Sequence, residues 1–261
     1  MRVEAETHWL PKRGNTVGEY EDAFYPKDFP AGHADEKANL RFAVSDGASE
    51  SMLSGQWAEV LVKSFCRSEV PLTRASARAI IGRASMAYEA WLREYIRSRE
   101  RSGRPIQWYE EPGLQAGAFA TLLGFSLDLD PSLSPEEACK WEAVSLGDSC
   151  LFHVREDRLI ASFAMKRSAD FGQRPVLISS NPANNRLALG RLKITSGTCL
   201  PGDVFYLMTD ALAAWFLKEH ERGDAPWVIL DALPFEELVG GLRGEGLLRN
   251  DDVTLTSIRV V

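Results

Sequence analysis

Three apolar runs in this chain stop on an aspartate. "FAVSD" closes at Asp46, "AVSLGD" at Asp148 and "VFYLMTD" at Asp210. Near the C-terminus the order inverts, and Asp251 and Asp252 stand immediately before the alternating run "VTLTSIRVV". A further acidic pair, Glu21-Asp22, is read inside a short strand-like segment, "EYEDAFYP". Taken singly, each residue has an ordinary explanation. Asp46-Gly47 is a turn dipeptide, Asp148 suits a hairpin, and Asp210 suits a helix N-cap. Taken together, they set carboxylates at the ends of several segments that should be buried. Clustered carboxylates repel, so a fold that gathers them needs a cation to offset the charge.

The rest of the chain limits the architecture. The alternating run at 3–9, the short segment 19–26 ended by Pro26 and the apolar run at 40–46 read as strands. Helical spacing then takes over, with Trp57, Val60, Leu61, Ser64 and Phe65 on one face and Ile80, Ala84, Tyr88, Trp91, Leu92 and Tyr95 on another. Residues 98–117 read as a polar connecting loop. Four strand candidates follow between 118 and 164, then a polar stretch at 168–191 that is the expected cover of any site. Two more strands, a helix at 211–220, about two short helices and a closing strand complete the chain. About ten closely spaced strands with helices in two clusters predict an α+β fold of antiparallel sheets with helices on the outer faces. Residues 1–261 are expected to form one domain.

Composition excludes several functions. The chain has 45% hydrophobic and 26% charged residues and a net charge of −7, which suits a globular protein and makes nucleic acid a poor partner. No apolar stretch is long enough to span a membrane, and the N-terminus lacks a signal-peptide core. Cys66, Cys139, Cys150 and Cys199 are far apart and are expected to be reduced thiols in a cytoplasmic protein. His8, His33, His153 and His220 show no zinc spacing. The candidate ligands are therefore all hard oxygens, which suits Mg²⁺ or Mn²⁺.

At this point the residues resemble a known family, the PPM-type metal-dependent Ser/Thr protein phosphatases, also called the protein phosphatase 2C family. "GEYEDAFY" resembles its early Glu-Asp-Ala motif, "FAVSDGAS" its Asp-Gly motif and "GAFATLLGF" its Gly-Ser/Ala-Thr-Ala strand. "AVSLGDSCLFHV", "LALG", "PGDVFYLMTDAL" and "RNDDVTLTSIRV" follow in the family's order. The resemblance implies a four-layer αββα sandwich and hydrolysis of phosphoserine or phosphothreonine on proteins. Water activated at a binuclear Mn²⁺ or Mg²⁺ centre would carry out that hydrolysis. It also implies residue roles. Asp46 would bridge the two ions and Gly47 would offer its carbonyl to one of them. Asp210 and Asp251 would bind the other ion, completing the catalytic set with Asp46. Asp22 and Glu21 would hold the second metal, and Asp148 with Asp210 would hold a third, weaker one. A phosphoprotein is the expected substrate and a monomer the expected state.

The sequence also departs from the pattern. Val17 stands where the family carries an Arg that grips the substrate phosphate, and Arg13 or Lys12 is the expected substitute. Ala48 stands where some members carry His, and Ala211 where Gly is usual. The lost Arg keeps open an alternative, a weak or inactive phosphatase-like module that binds phosphoproteins or partner domains. A rival in "FSLDLDPS", where Asp128 and Asp130 resemble an aspartate-nucleophile motif, reads better as a polar turn. Neither Cys66 nor Cys150 sits in a Cys-x5-Arg phosphate loop.

Overall fold

A computed structural model describes residues 1–30, 38–130, 132, 134, 139–172 and 174–261; His33 lies outside them. Chain order begins with β1 (Val3–Leu10), β2 (Ala23–Tyr25) and β3 (Ala38–Ser45), followed by α1 (Ser54–Cys66), α2 (Arg74–Arg101) and α3 (Glu111–Ala116). Next come β4 (Phe119–Ala120), β5 (Leu122–Leu129), β6 (Cys139–Leu146), β7 (Cys150–Arg155), β8 (Arg158–Phe163) and β9 (Ile178–Ser179). Then follow α4 (Arg186–Gly190), β10 (Lys193–Thr198), β11 (Val204–Met208), α5 (Asp210–Glu221), α6 (Pro226–Ala232), α7 (Phe235–Gly244) and β12 (Val253–Val260).

Two five-stranded antiparallel sheets result, in the orders β1-β12-β11-β7-β8 and β10-β6-β5-β3-β2. Their facing sides make the central core. Phe42 and Val44 of β3, Leu123, Phe125 and Leu127 of β5, Phe205 and Leu207 of β11, and Ile258 of β12 interleave there. The opposite faces are also apolar, because each sheet carries helices. Ala43 and Leu122 pack under Trp57, Leu61, Phe65 and Ile80 of α1 and α2. Val253 and Leu255 pack under Trp215, Phe216, Trp227 and Val239 of α5, α6 and α7. The alternation along β12 states the rule in one strand: odd positions meet helices, and Ile258 and Val260 meet the other sheet. Gly124 shows how close the helices come, since a Cβ there would lie 2.5 Å from the Phe65 ring. The layers are therefore α, β, β, α, as expected.

Several local expectations need correction. Glu21 and Asp22 precede β2 and do not lie inside a strand; a short 3₁₀ turn, Val17–Glu19, occupies the segment before them. The loop expected at 98–117 contains α3. The run 118–130 is two strands, because β4 leaves to pair with β9 while β5 enters the main sheet. The cysteine reading fails for one pair. Cys139 and Cys199 are joined in a disulfide across the neighbouring strands β6 and β10, with their Cα atoms 5.2 Å apart. Cys66 and Cys150 are free thiols, as expected. Asp130 accepts from the Ser132 backbone N–H at 3.2 Å, the polar turn read there. Among the described residues, no helix is long and apolar enough to cross a membrane.

Candidate functional site

Strand register brings the carboxylates to one end of the sandwich. In one sheet Ala23 pairs with Ser45, Val44 with Leu123, and Leu122 with Leu146, so the segments holding Asp22, Asp46 and Asp148 emerge side by side. In the other sheet Met208 pairs with both Cys150 and Leu255, which places Asp148, Asp210 and Asp251 at that same end. Carboxylate oxygens of Asp46, Asp148 and Asp210 all lie within 4.8 Å of one another. Asp148 and Asp210 are buried, and Asp22 beside them is 5% exposed.

Hydrogen bonds hold this arrangement. The Asp46 N–H donates to Thr121 Oγ1 at 2.8 Å, and the Thr121 N–H donates to the Asp46 carbonyl at 2.9 Å. Thr121 Oγ1 also bonds Ser149 Oγ at 2.8 Å, so one threonine links the tip of β3 to the Asp148 turn. Gly147 makes that turn at φ +110°, pressed against Thr121 so closely that a Cβ would lie 2.6 Å from its Cγ2. Gly47 is required by crowding, since a Cβ there would lie 2.6 Å from the Glu21 carbonyl oxygen. Asp22 accepts from Thr254 Oγ1 at 2.7 Å. Asp252 turns away to accept the Lys12 and Glu21 backbone N–H groups, both at 2.8 Å, and so ties the N-terminal loop to β12.

The other expected residues lie at the margin. The Glu21 carboxylate accepts from Ser54 Oγ at 2.6 Å and from Ser49, with Lys12 Nζ 3.7 Å away. The Arg13 guanidinium reaches the Gly240 carbonyl on α7 at 3.4 Å, and its backbone N–H donates to Asn250. Val17 is 66% exposed. Arg249 was not foreseen. Its Nη2 donates to Asp251 Oδ2 at 2.8 Å and also to Asp210, so one guanidinium bridges two carboxylates. A lone Arg before an Asp-Asp pair carries no sequence signal; it matters because the fold brings the start of α5 against the start of β12.

Electrostatics mark the cluster as short of positive charge. Burial first, then the like charges of Asp22, Asp210, Asp148 and Asp251, pushes the Asp46 carboxyl well above the usual carboxylate range. Asp22 moves the same way, by burial and then by Asp252 and Asp210, against the Thr254 hydrogen bond. Asp148 is pushed up to about 7 by burial and by Asp210. Asp210 is raised by burial, with Arg249 opposing. One Asp148 oxygen is buried with no hydrogen-bond partner among the described residues. An all-oxygen donor set, three converging carboxylates and an orphaned buried oxygen fit a hard divalent cation such as Mn²⁺ or Mg²⁺.

No family model matches this chain, and no curated protein matches it in sequence. Solved structures do. The serine/threonine phosphatase PstP of Mycobacterium tuberculosis superposes with a TM-score of 0.58 at 15% identity, covering 100% of this chain and 99% of its own. A structure of the PstP catalytic domain with two manganese ions gives a TM-score of 0.56 at 16% identity, covering 100% of this chain and 99% of that one. The PPM Ser-Thr phosphatase MsPP of Mycobacterium smegmatis, solved with cacodylate, gives 0.54 at 15% identity over 99% and 98% of the two chains. The fold is that of the PPM-type phosphatases. In this PPM-type fold the acidic end described above is built from strand termini together with the first residue of α5, Asp210, which comes just after β11.

Proposed function

We propose that the chain is a metal-dependent hydrolase of phosphoserine and phosphothreonine monoesters on proteins. The convergence within 4.8 Å of half-buried Asp46 with buried Asp148 and Asp210 is the observation that carries this reading. PPM-type phosphatases of the same fold support it, one of them solved with two manganese ions. The proposal assigns Asp46, the Gly47 carbonyl, Asp22 and Glu21 to one ion. It assigns Asp46, Asp210 and Asp251 to a second, and Asp148 with Asp210 to a third. When bound, such cations lower the pKa of water and offset charge on a transferring phosphoryl group.

The chain's own residues orient that chemistry. Thr121 holds Asp46 by its backbone, so the carboxylate points from a fixed strand tip. Arg249 holds the Asp210 and Asp251 carboxylates on one side of the site and supplies a fixed positive charge there. With Val17 uncharged, Arg249 and Arg13 are the proposed sources of phosphate grip. Ala48 has no side-chain proton to give, so the leaving oxygen would take its proton from water or from another acid beside the site. The free thiols are not nucleophiles: burial raises the Cys66 and Cys150 thiols far above their ordinary range. The non-catalytic alternative has less support, because a pure binding module has no need of buried, mutually repelling carboxylates.

A phosphoprotein substrate, a monomeric state, a single domain over 1–261 and a cytoplasmic setting complete the proposal. The Cys139–Cys199 bond bears on the last point, since cytosolic disulfides are uncommon. The test is release of phosphate from a phosphothreonine peptide in Mn²⁺, in Mg²⁺ and in chelator. Metal-dependent turnover abolished by Asp46→Asn is expected. Turnover that survives in chelator, or in Asp46→Asn, overturns the reading.

A further inference from the structure

Beside the acidic centre lies a cleft of opposite charge. Its volume is about 590 Å³, and Gly147, the residue before Asp148, forms part of its wall. Lys166, Arg167, Arg174, Arg191 and Lys193 line it, against a single carboxylate, Asp170. Asp170 is already paired with Arg167 at 2.9 Å. Lys193 Nζ donates to the Ala164 carbonyl at 2.6 Å. Lys166, Arg174 and Arg191 are exposed and form no ion pair among the described residues. Met165, Pro175 and Val176 add apolar surface to its lining. Ala164, at φ +83°, turns the chain into it from the end of β8.

Five cations crowded into one cleft are unexpected in a chain of net charge −7. Of the five, Arg167 alone has an ion pair among the described residues. Register fixes where the cleft opens. Phe163 at the end of β8 pairs with Leu151, and Lys193 at the start of β10 pairs with Ser145, so both edges of the cleft belong to the acidic end of the sandwich. A lining that mixes cations with apolar side chains suits an extended peptide that carries carboxylates or further phosphates.

Resting on the phosphatase reading above, we infer that this cleft is a substrate-docking site selecting phosphoprotein segments with acidic residues beside the phosphorylated serine or threonine. The cleft then supplies substrate attraction that Val17 does not. Each rim charge contributes modestly and is screened by salt, so the selection acts through several cations together.

The experiment compares phosphothreonine peptides with acidic and with neutral flanks, using wild type and the combined Lys166→Ala, Arg174→Glu, Arg191→Glu variant in Mn²⁺. A small aryl phosphate, too short to reach the cleft, is the control. Wild type should favour the acidic peptide in kcat/KM by about tenfold, and the preference should shrink as salt rises. The variant should lose the preference while its aryl phosphate turnover stays within about twofold of wild type. Equal use of both peptides by wild type, or an undiminished preference in the variant, overturns the inference. If the aryl phosphate is not turned over at all, the phosphatase reading has failed. The cleft is then judged by fluorescence anisotropy of the labelled acidic peptide in chelator: binding lost in the variant supports it, and absent or variant-insensitive binding overturns it. An oligonucleotide that displaces the peptide at lower concentration also overturns it.

Discussion

Burial and the charge of Asp210 hold the Asp148 carboxyl up at about 7, against an ordinary value of 3.8. In chelator the folded chain therefore keeps a proton that the unfolded chain has lost. The stability this group contributes is complete below pH 3.8 and disappears as pH rises to about 7 and beyond. Asp46, Asp22 and Asp210 are raised too and act in the same direction. Thermal unfolding in chelator should thus give a lower Tm at pH 8 than at pH 5. Mn²⁺ should raise the Tm most at pH 8, and Asp148→Asn should flatten the slope in chelator. Arg249 makes the same point from the other sign. Arg249→Ala leaves Asp210 and Asp251 without their shared cation, so its Tm should fall more in chelator than in Mn²⁺. Gly47→Ala places a methyl 2.6 Å from a backbone oxygen and should cost about 1–3 kcal/mol in denaturant titrations.

Elements show where sequence patterns carry information and where they stop. Continuous apolar runs made β3, β6 and β11 legible, because both faces of each strand are filled by packing, and β12 was legible by its alternation. The aspartates were legible as strand terminators, and the fold brings Asp46, Asp148 and Asp210 together. The split of β4 from β5 was not legible. It occurs at Thr121, whose backbone turns to bond Asp46, a partner 75 residues away in sequence. Helix α3 was hidden by Pro112 and Gly113, which are helix breakers by propensity but sit within its first turn. The disulfide joins residues 60 apart, a separation no local pattern reports. It predicts that the denatured, unreduced protein exposes only the thiols of Cys66 and Cys150 to a thiol reagent. All four cysteines should react after reduction, and four without reduction would contradict the pairing.

At the scale of the whole molecule, the two sheets form a stable frame and the acidic end is where they meet without neutralising each other. The frame is apolar and closely packed: Phe125, Phe205 and Trp141 contact one another across the sandwich, with ring centroids 4.8 and 5.7 Å from Phe205. The centre is like-charged, and among the described residues only Arg249 is paired directly with two of its carboxylates. A molecule built this way holds its carboxylates together by packing elsewhere and gains from any cation that enters. Divalent metal should therefore act as both cofactor and stabiliser.

Isothermal titration of the chelator-treated protein with Mn²⁺ tests this most directly, with wild type and Asp46→Asn compared at matched helical content. Wild type should bind about two ions tightly and a third, at Asp148 and Asp210, more weakly. Asp46→Asn should lose the two tight ions while remaining folded. No heat from wild type, or an unchanged isotherm in Asp46→Asn, would contradict the account.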